Sequence, residues 1–223
     1  MSWIFESIKK SKKMKDHYKL HDIDIFIKDP LPEDISADFV LKYISKRIPY
    51  YLLKGVDMIY IGQFKQLVDR QINALFEDGA IYITNEQDND KDMIDDIIHE
   101  VAHSIEHIYG DLIYDDGSVA REFLGKRKRL FSNLMRYRHN PPVEMQIELE
   151  FSKMIDDYFY KDVGYEAMWN LINGLFPSPY AATSLREYFA RGFEEYVMEN
   201  KQDLKKVCPV LFSKIEQLYE LED

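Results

Sequence analysis

The sequence predicts an α+β fold in which a small N-terminal mixed β-sheet with a hairpin precedes a mainly helical remainder. Three observations carry this. Strand-like runs are confined to the first 85 residues, and a turn-forming Glu77-Asp78-Gly79 separates two of them. Beyond that point apolar residues recur at helical spacing to the C-terminus. Strands followed by helices, rather than alternating with them, argue against a parallel sheet built from βαβ units.

The elements follow in order. The alternating run Ile-Asp-Ile-Phe-Ile reads as the first strand, and the Pro and Asp residues of KDPLPEDISADF mark a loop before a helix from about Ala37 to Leu53. VDMIYIG (56 to 62) is a second strand. Asp78-Gly79 supplies the positive φ of a tight hairpin, with Ala80 to Thr84 as its second strand. The carboxylate-rich NEQDNDKD suits a helix N-terminus, after which Ile94, Ile97, Ile98, Val101, Ile105 and Ile108 recur at helical spacing up to Gly110, a natural stop. A basic helix from Ser118 to Arg138, one after Pro141-Pro142, one from Tyr165 to Asn173, one from Ser184 to Asn200 and one from Pro209 complete the chain. Phe151, Tyr158, Trp169 and Phe176 are expected in the core.

The chain fits a lysine-rich segment, 1 to 15, followed by one domain, 16 to 223, long enough to bury a real core. At 46% apolar and 14% aromatic residues it is expected to be globular, and no apolar run is long enough to cross a bilayer. Lysines follow, rather than precede, the few apolar residues at the start, the reverse of a secretory signal. With Cys208 as the single cysteine, a cytoplasmic location is expected. The net charge of −11 disfavours nucleic acid over the whole surface. The basic segment 121 to 138 leaves a local contact open, although a solvated helix face accounts for it more simply.

Chemistry concentrates in DDIIHEVAHSIEHIYG, where His99 and His103 stand four apart with Glu100 beside the first. On a helix such a pair shares one face and can bind one metal through two imidazoles. Glu100 is then placed as general base to a metal-activated water, the chemistry of peptide-bond hydrolysis. A chance His-Glu helix is the plain alternative, but uncharged Ile98, Val101, Ala102, Ser104 and Ile105 suit a dry site. His107, one turn further on, lies too far along a straight helix to join the same ion. Tyr109 stands at the third-histidine position of an HExxHxxGxxH motif, which excludes that class.

The third ligand is expected to be a later carboxylate. Glu122 follows His103 after eighteen intervening residues, an aminopeptidase-like spacing without matching neighbours. Glu187 lies in a helix capped by Thr183 or Ser184, among aromatic residues where a carboxylate needs a partner.

Tyr180 followed by Glu187-Tyr188-Phe189-Ala190-Arg191-Gly192-Phe193 resembles the corresponding motif of the anthrax lethal factor catalytic domain and the Pro-Pro endopeptidases, which are glutamate-zincins. The resemblance covers roughly residues 55 to 110 and 175 to 200. It implies a zincin-like metallopeptidase domain with one Zn²⁺ per chain, held by His99, His103 and Glu187. Glu100 would be the general base, and Tyr180 would donate to the oxyanion. The longer separation between His103 and Glu187 implies a helical insertion within 111 to 176, and Arg191 stands where lethal factor has an acidic residue. The resemblance also implies a protein or peptide substrate bound in extended form along the strand Ala80 to Thr84, as an added strand. Two other readings are a peptidase-like zinc-binding interaction protein without proteolysis, and an aminopeptidase using Glu122.

Overall fold

The computed structural model describes residues 16 to 199 and 201 to 221. The lysine-rich segment 1 to 15 and the expected helix end at Asn200 lie outside the described residues. The fold is α+β, and the chain divides after Ile108 into two compact units.

The first unit holds a five-stranded mixed sheet: β1 (Asp16–Leu20), β2 (Ile23–Ile27), β3 (Met58–Ile61), β4 (Ala74–Glu77) and β5 (Ala80–Ile83), in the order β1-β2-β3-β5-β4. The β1–β2 and β4–β5 pairs are antiparallel, while β3 runs parallel to both β2 and β5. Alternation sorts the side chains. Ile25, Ile27, Ile59, Ile61, Ile81 and Ile83 are buried on one face. On the other, the register-matched rings of Phe26, Tyr60 and Tyr82 stack at 5.7 and 5.3 Å.

The expected hairpin turn is present, with positive φ at Asp78 (48°) and Gly79 (78°). Its strand is placed differently from the expectation. Ala80–Ile83 is flanked by β3 on one side and β4 on the other, so it is an interior strand and offers no free edge to a peptide. The short helix α2 (Lys65–Arg70) carries the chain out to β4, and the tight turn returns β5 into the gap. The outer strand on this side is therefore β4.

Other elements of the first unit differ from the sequence reading as well. The β1 strand was not expected; it pairs with β2 across a turn in which His21 takes φ 54°. The helix expected to reach Leu53 ends earlier: α1 spans Ala37–Arg47, and Pro49 separates it from a 3₁₀ turn at Tyr50–Leu53. A proline has no N–H for the helix ladder and forces its predecessor out of helical geometry. Ser36 caps α1 by accepting from the Phe39 amide.

Helix α3 (Asp90–Tyr114) does not stop at Gly110; it bends at Tyr109 (φ −110°, ψ 19°) and continues for another turn. The break comes at Gly117, in the left-handed region, which begins α4 (Ser118–Arg136). In the second unit Pro141-Pro142 leads only to a 3₁₀ turn, Val143–Gln146. There follow α5 (Lys153–Asp157), a π-turn at Tyr158–Val163, α6 (Tyr165–Ile172), a 3₁₀ turn at Tyr180–Ala182, α7 (Leu185–Met198), α8 (Lys201–Val207) and α9 (Pro209–Tyr219). Phe123, Phe176 and Tyr188 form a mutual ring cluster, with centroids 5.5 to 5.9 Å apart. Tyr158 and Phe176 are buried as expected, but Phe151 (54%) and Trp169 (55%) face solvent. Among the described residues no helix is long and apolar enough to cross a membrane.

Helices α7 and α9 approach closely because Gly192 has no side chain: a Cβ there would lie 2.3 Å from Leu211 Cδ2. Gly192→Ala should gain roughly 1 kcal/mol of helix propensity but lose about 1–3 kcal/mol to overpacking. The expected outcome is a lower denaturant midpoint, measured by urea unfolding; a raised midpoint would contradict this packing.

Candidate metal centre

The first group of side chains comes from α3. Asn89 opens the helix, its Oδ1 accepting from the Lys91 and Asp92 amides at 2.8 and 3.1 Å. The 3.6-residue period then buries Ile94, Ile97, Ile98, Val101 and Ile105, and turns His99 and His103 to one adjoining face. Their rings lie 4.9 Å apart at 85°. Glu100 is only 7% exposed, and its Oε2 accepts from the Phe76 backbone N–H at 2.7 Å. Phe76 sits opposite Ile81 in the hairpin, at a position whose amide points away from β5, so this bond ends on the outer edge of the sheet. Glu106, also buried, has Oε2 3.4 Å from His103 Nδ1. That contact favours the tautomer with the proton on Nδ1 and an unprotonated Nε2. His107 is exposed, in keeping with its exclusion from the site.

The second group comes from the entry to α7. Ser184, rather than Thr183, is the N-cap, and its Oγ accepts from the Glu187 amide at 3.2 Å. Thr183 Oγ1 instead donates to the Tyr180 carbonyl at 2.7 Å. Burial raises the pKa of the Tyr180 phenol well above the ordinary tyrosine value, and the negative charges of Glu187 and Asp156 push it further in the same direction. The phenol therefore stays protonated, and so remains a donor, across the range in which the protein would work. Arg191 pairs with Glu194 at 2.7 Å, and its guanidinium lies 5.8 Å from the centre of the Tyr180 ring.

One ligand atom from each of His99, His103 and Glu187 lies within 4.8 Å of the other two, so these three residues could hold a metal ion. Two imidazoles and one carboxylate suit a borderline divalent cation, and three protein ligands leave a coordination position for water or substrate.

Glu122 is engaged elsewhere. Its carboxylate accepts from the Val210 and Leu211 amides at 3.0 and 3.1 Å, capping the N-terminus of α9, and from Tyr188 Oη at 2.8 Å. The basic run also departs from the solvated face expected of it. Arg121, Lys128, Arg129, Arg136 and Arg138 are exposed, but Lys126 and Arg127 are buried against backbone carbonyls. Sequence reasoning missed Glu106, Arg127 and the Phe76 amide. Glu106 was detectable, three residues after His103 on the same helix; the other two depend on tertiary placement.

Compared with protein-family models, curated proteins and solved structures, the chain finds no match.

Glu122→Ala should leave two α9 amides and a buried phenol without their acceptor, at a cost of about 1–3 kcal/mol. Whatever metal affinity the unsubstituted protein has should nevertheless be kept by the folded fraction. Urea unfolding and metal titration check the two halves separately.

Proposed function

We propose that this chain is a zinc-dependent endopeptidase of the glutamate-zincin type, with His99, His103 and Glu187 as ligands, Glu100 as general base and Tyr180 as oxyanion donor. The observation that carries the reading is the convergence of the two imidazoles and the Glu187 carboxylate, with Glu100 following His99 on the same helix. The capping role of Glu122 supports Glu187 as the carboxylate ligand and weighs against the aminopeptidase alternative. A cytoplasmic location fits the single, buried cysteine.

A zinc ion held there would act as a Lewis acid and bring the pKa of a water close to neutrality. The chain's own residues supply the rest. Glu100, largely shielded from solvent, takes the proton of the attacking water and passes it to the departing amine. The Tyr180 phenol, kept neutral by burial, donates a hydrogen bond to the oxygen on which charge develops. Glu106 holds the His103 imidazole in its ligating tautomer.

An extended peptide substrate would then pair with the outer edge of β4 instead of with the interior β5. This edge already carries the Phe76–Glu100 bond, so a paired substrate backbone would run beside the general base.

The direct test is zinc content after dialysis, followed by peptide hydrolysis. The expected result is about one zinc per chain in the unsubstituted protein and strongly weakened binding in Glu187→Ala. Glu100→Gln should keep its zinc while hydrolysis of a cleavable peptide falls by roughly 10²–10⁴-fold. Full hydrolysis by Glu100→Gln would end this mechanism. Zinc bound with no cleavage across a peptide library would point to an interaction protein instead.

A further inference from the structure

Among the described residues Arg127 is the largest side chain completely withdrawn from solvent, and the assigned chemistry does not use it. Its guanidinium donates through Nε to the Ala182 carbonyl at 2.9 Å, through Nη2 to Thr183 at 3.0 Å and through Nη1 to Glu148 at 2.8 Å. The Phe123 ring centre lies 5.0 Å away. Burial lowers the guanidinium pKa to about 10, opposed by the charge of Glu148, which is the direction expected for a cation taken out of water. A charge is costly to bury, so what its donors achieve must be sought in the groups they fix.

Those groups are the backbone between Tyr180 and α7. Ala182 and Thr183 are consecutive, and both carbonyls are drawn toward one planar cation just where the 3₁₀ turn gives way to the helix. Ser184 follows at once as the N-cap that receives the Glu187 amide. The third donor secures Glu148, and the neighbouring Leu149 carbonyl accepts from the Leu185 amide at 2.8 Å, so the segment is tied on both sides of the cap. The position of the turn sets where Tyr180 stands, and the angle at which α7 leaves it sets the direction of Glu187. A lysine could donate to these oxygens as a point charge, but it lacks the planar fork that fixes several carbonyls in one geometry.

We propose that Arg127 is a positioning residue: its buried guanidinium sets the relative placement of Tyr180 and Glu187 by locking the backbone that joins them. This rests on the reading of Glu187 as a metal ligand and Tyr180 as a donor. It also predicts a consequence that a general contribution to stability would not have, namely that loss of the fork changes the metal's coordination geometry.

The experiment compares the unsubstituted chain, Arg127→Lys, Arg127→Ala and a core control, Ile215→Val, whose side chain is fully buried on α9. Zinc affinity is measured by chelator competition, and coordination geometry by the visible spectrum of the Co²⁺-substituted protein. Arg127→Lys should weaken zinc binding by roughly 10- to 100-fold, the range typical when a group supporting a ligand is lost, and should alter the cobalt spectrum. Ile215→Val should change neither, even where its unfolding midpoint falls. Methylguanidinium added to Arg127→Ala should recover part of the affinity, whereas tetramethylammonium should not. Should Arg127→Ala fail to fold, the lysine variant and the cobalt spectrum decide the matter.

Zinc affinity within twofold of the unsubstituted chain, together with an unchanged cobalt spectrum in Arg127→Lys, would overturn the positioning role while leaving the metal site standing. Absence of zinc binding by the unsubstituted chain would remove both, and that result is visible before any variant is made.

Discussion

The fixed period of the α-helix is the constraint on which the site depends. In α3 the isoleucine stripe must stay in the core, and a rotation of 100° per residue then determines where every other side chain can point. His99 and His103 fall on one adjoining face, and Glu100, one residue past the first, is shielded enough to need its backbone donor. Moving the stripe by one residue would turn the histidine pair off this face and expose isoleucines. The histidine pair and the core of the first unit are therefore one specification, written in a single run of sequence.

The second unit solves a different problem by a related means. Glu122 and Lys126 stand one turn apart on α4. Lys126 donates to the carbonyls of Leu175 and of Val207, the last residue of α8, while Glu122 accepts from the first amides of α9. A cation at a helix C-terminus and an anion at the next N-terminus each complement the helix dipole and satisfy groups that the helices cannot pair internally. The junction between them, Cys208, is buried, and burial pushes its thiol up to about 11, which keeps it inert as a nucleophile. With Arg127 the pattern is complete: among the buried Val119, Phe123, Leu130 and Leu134 of this helix, the inward charges are there to serve backbone groups.

What could be read from the sequence divides along the same line. The α+β class, the Asp78-Gly79 turn, the apolar stripe of α3 as far as Ile105 and the Ser184 cap are local signals, and each stands where it was expected, whereas Ile108 faces solvent. The ends of helices were less legible. Gly110 lies in a helix that continues, since a glycine ends a helix only where the chain takes up a left-handed turn, and that happens at Gly117. The order of the strands was not legible at all, because it depends on which partner β3 takes after the excursion through α2. The inward use of Lys126 and Arg127 was hidden for a similar reason. Composition marks a basic run, but burial is decided by carbonyls from residues 148 to 207, far away in sequence.

The strand order bears directly on chemistry. An outer strand presents backbone donors that must be paired, covered or left to water, and an uncovered row invites association with another chain. At Phe76 the outward amide is covered by the Glu100 carboxylate, so one hydrogen bond both protects the edge and orients the acid. On the proposed function, a peptide adding itself to β4 would meet this bond, and the carboxylate would turn from the amide toward the water it deprotonates. The edge that recognises an extended chain and the residue that acts on it would then be coupled through a single backbone N–H. Had β5 been the outer strand, the hairpin would present its Ile81 and Ile83 backbone there instead, and the Phe76 amide would no longer bring the edge to Glu100.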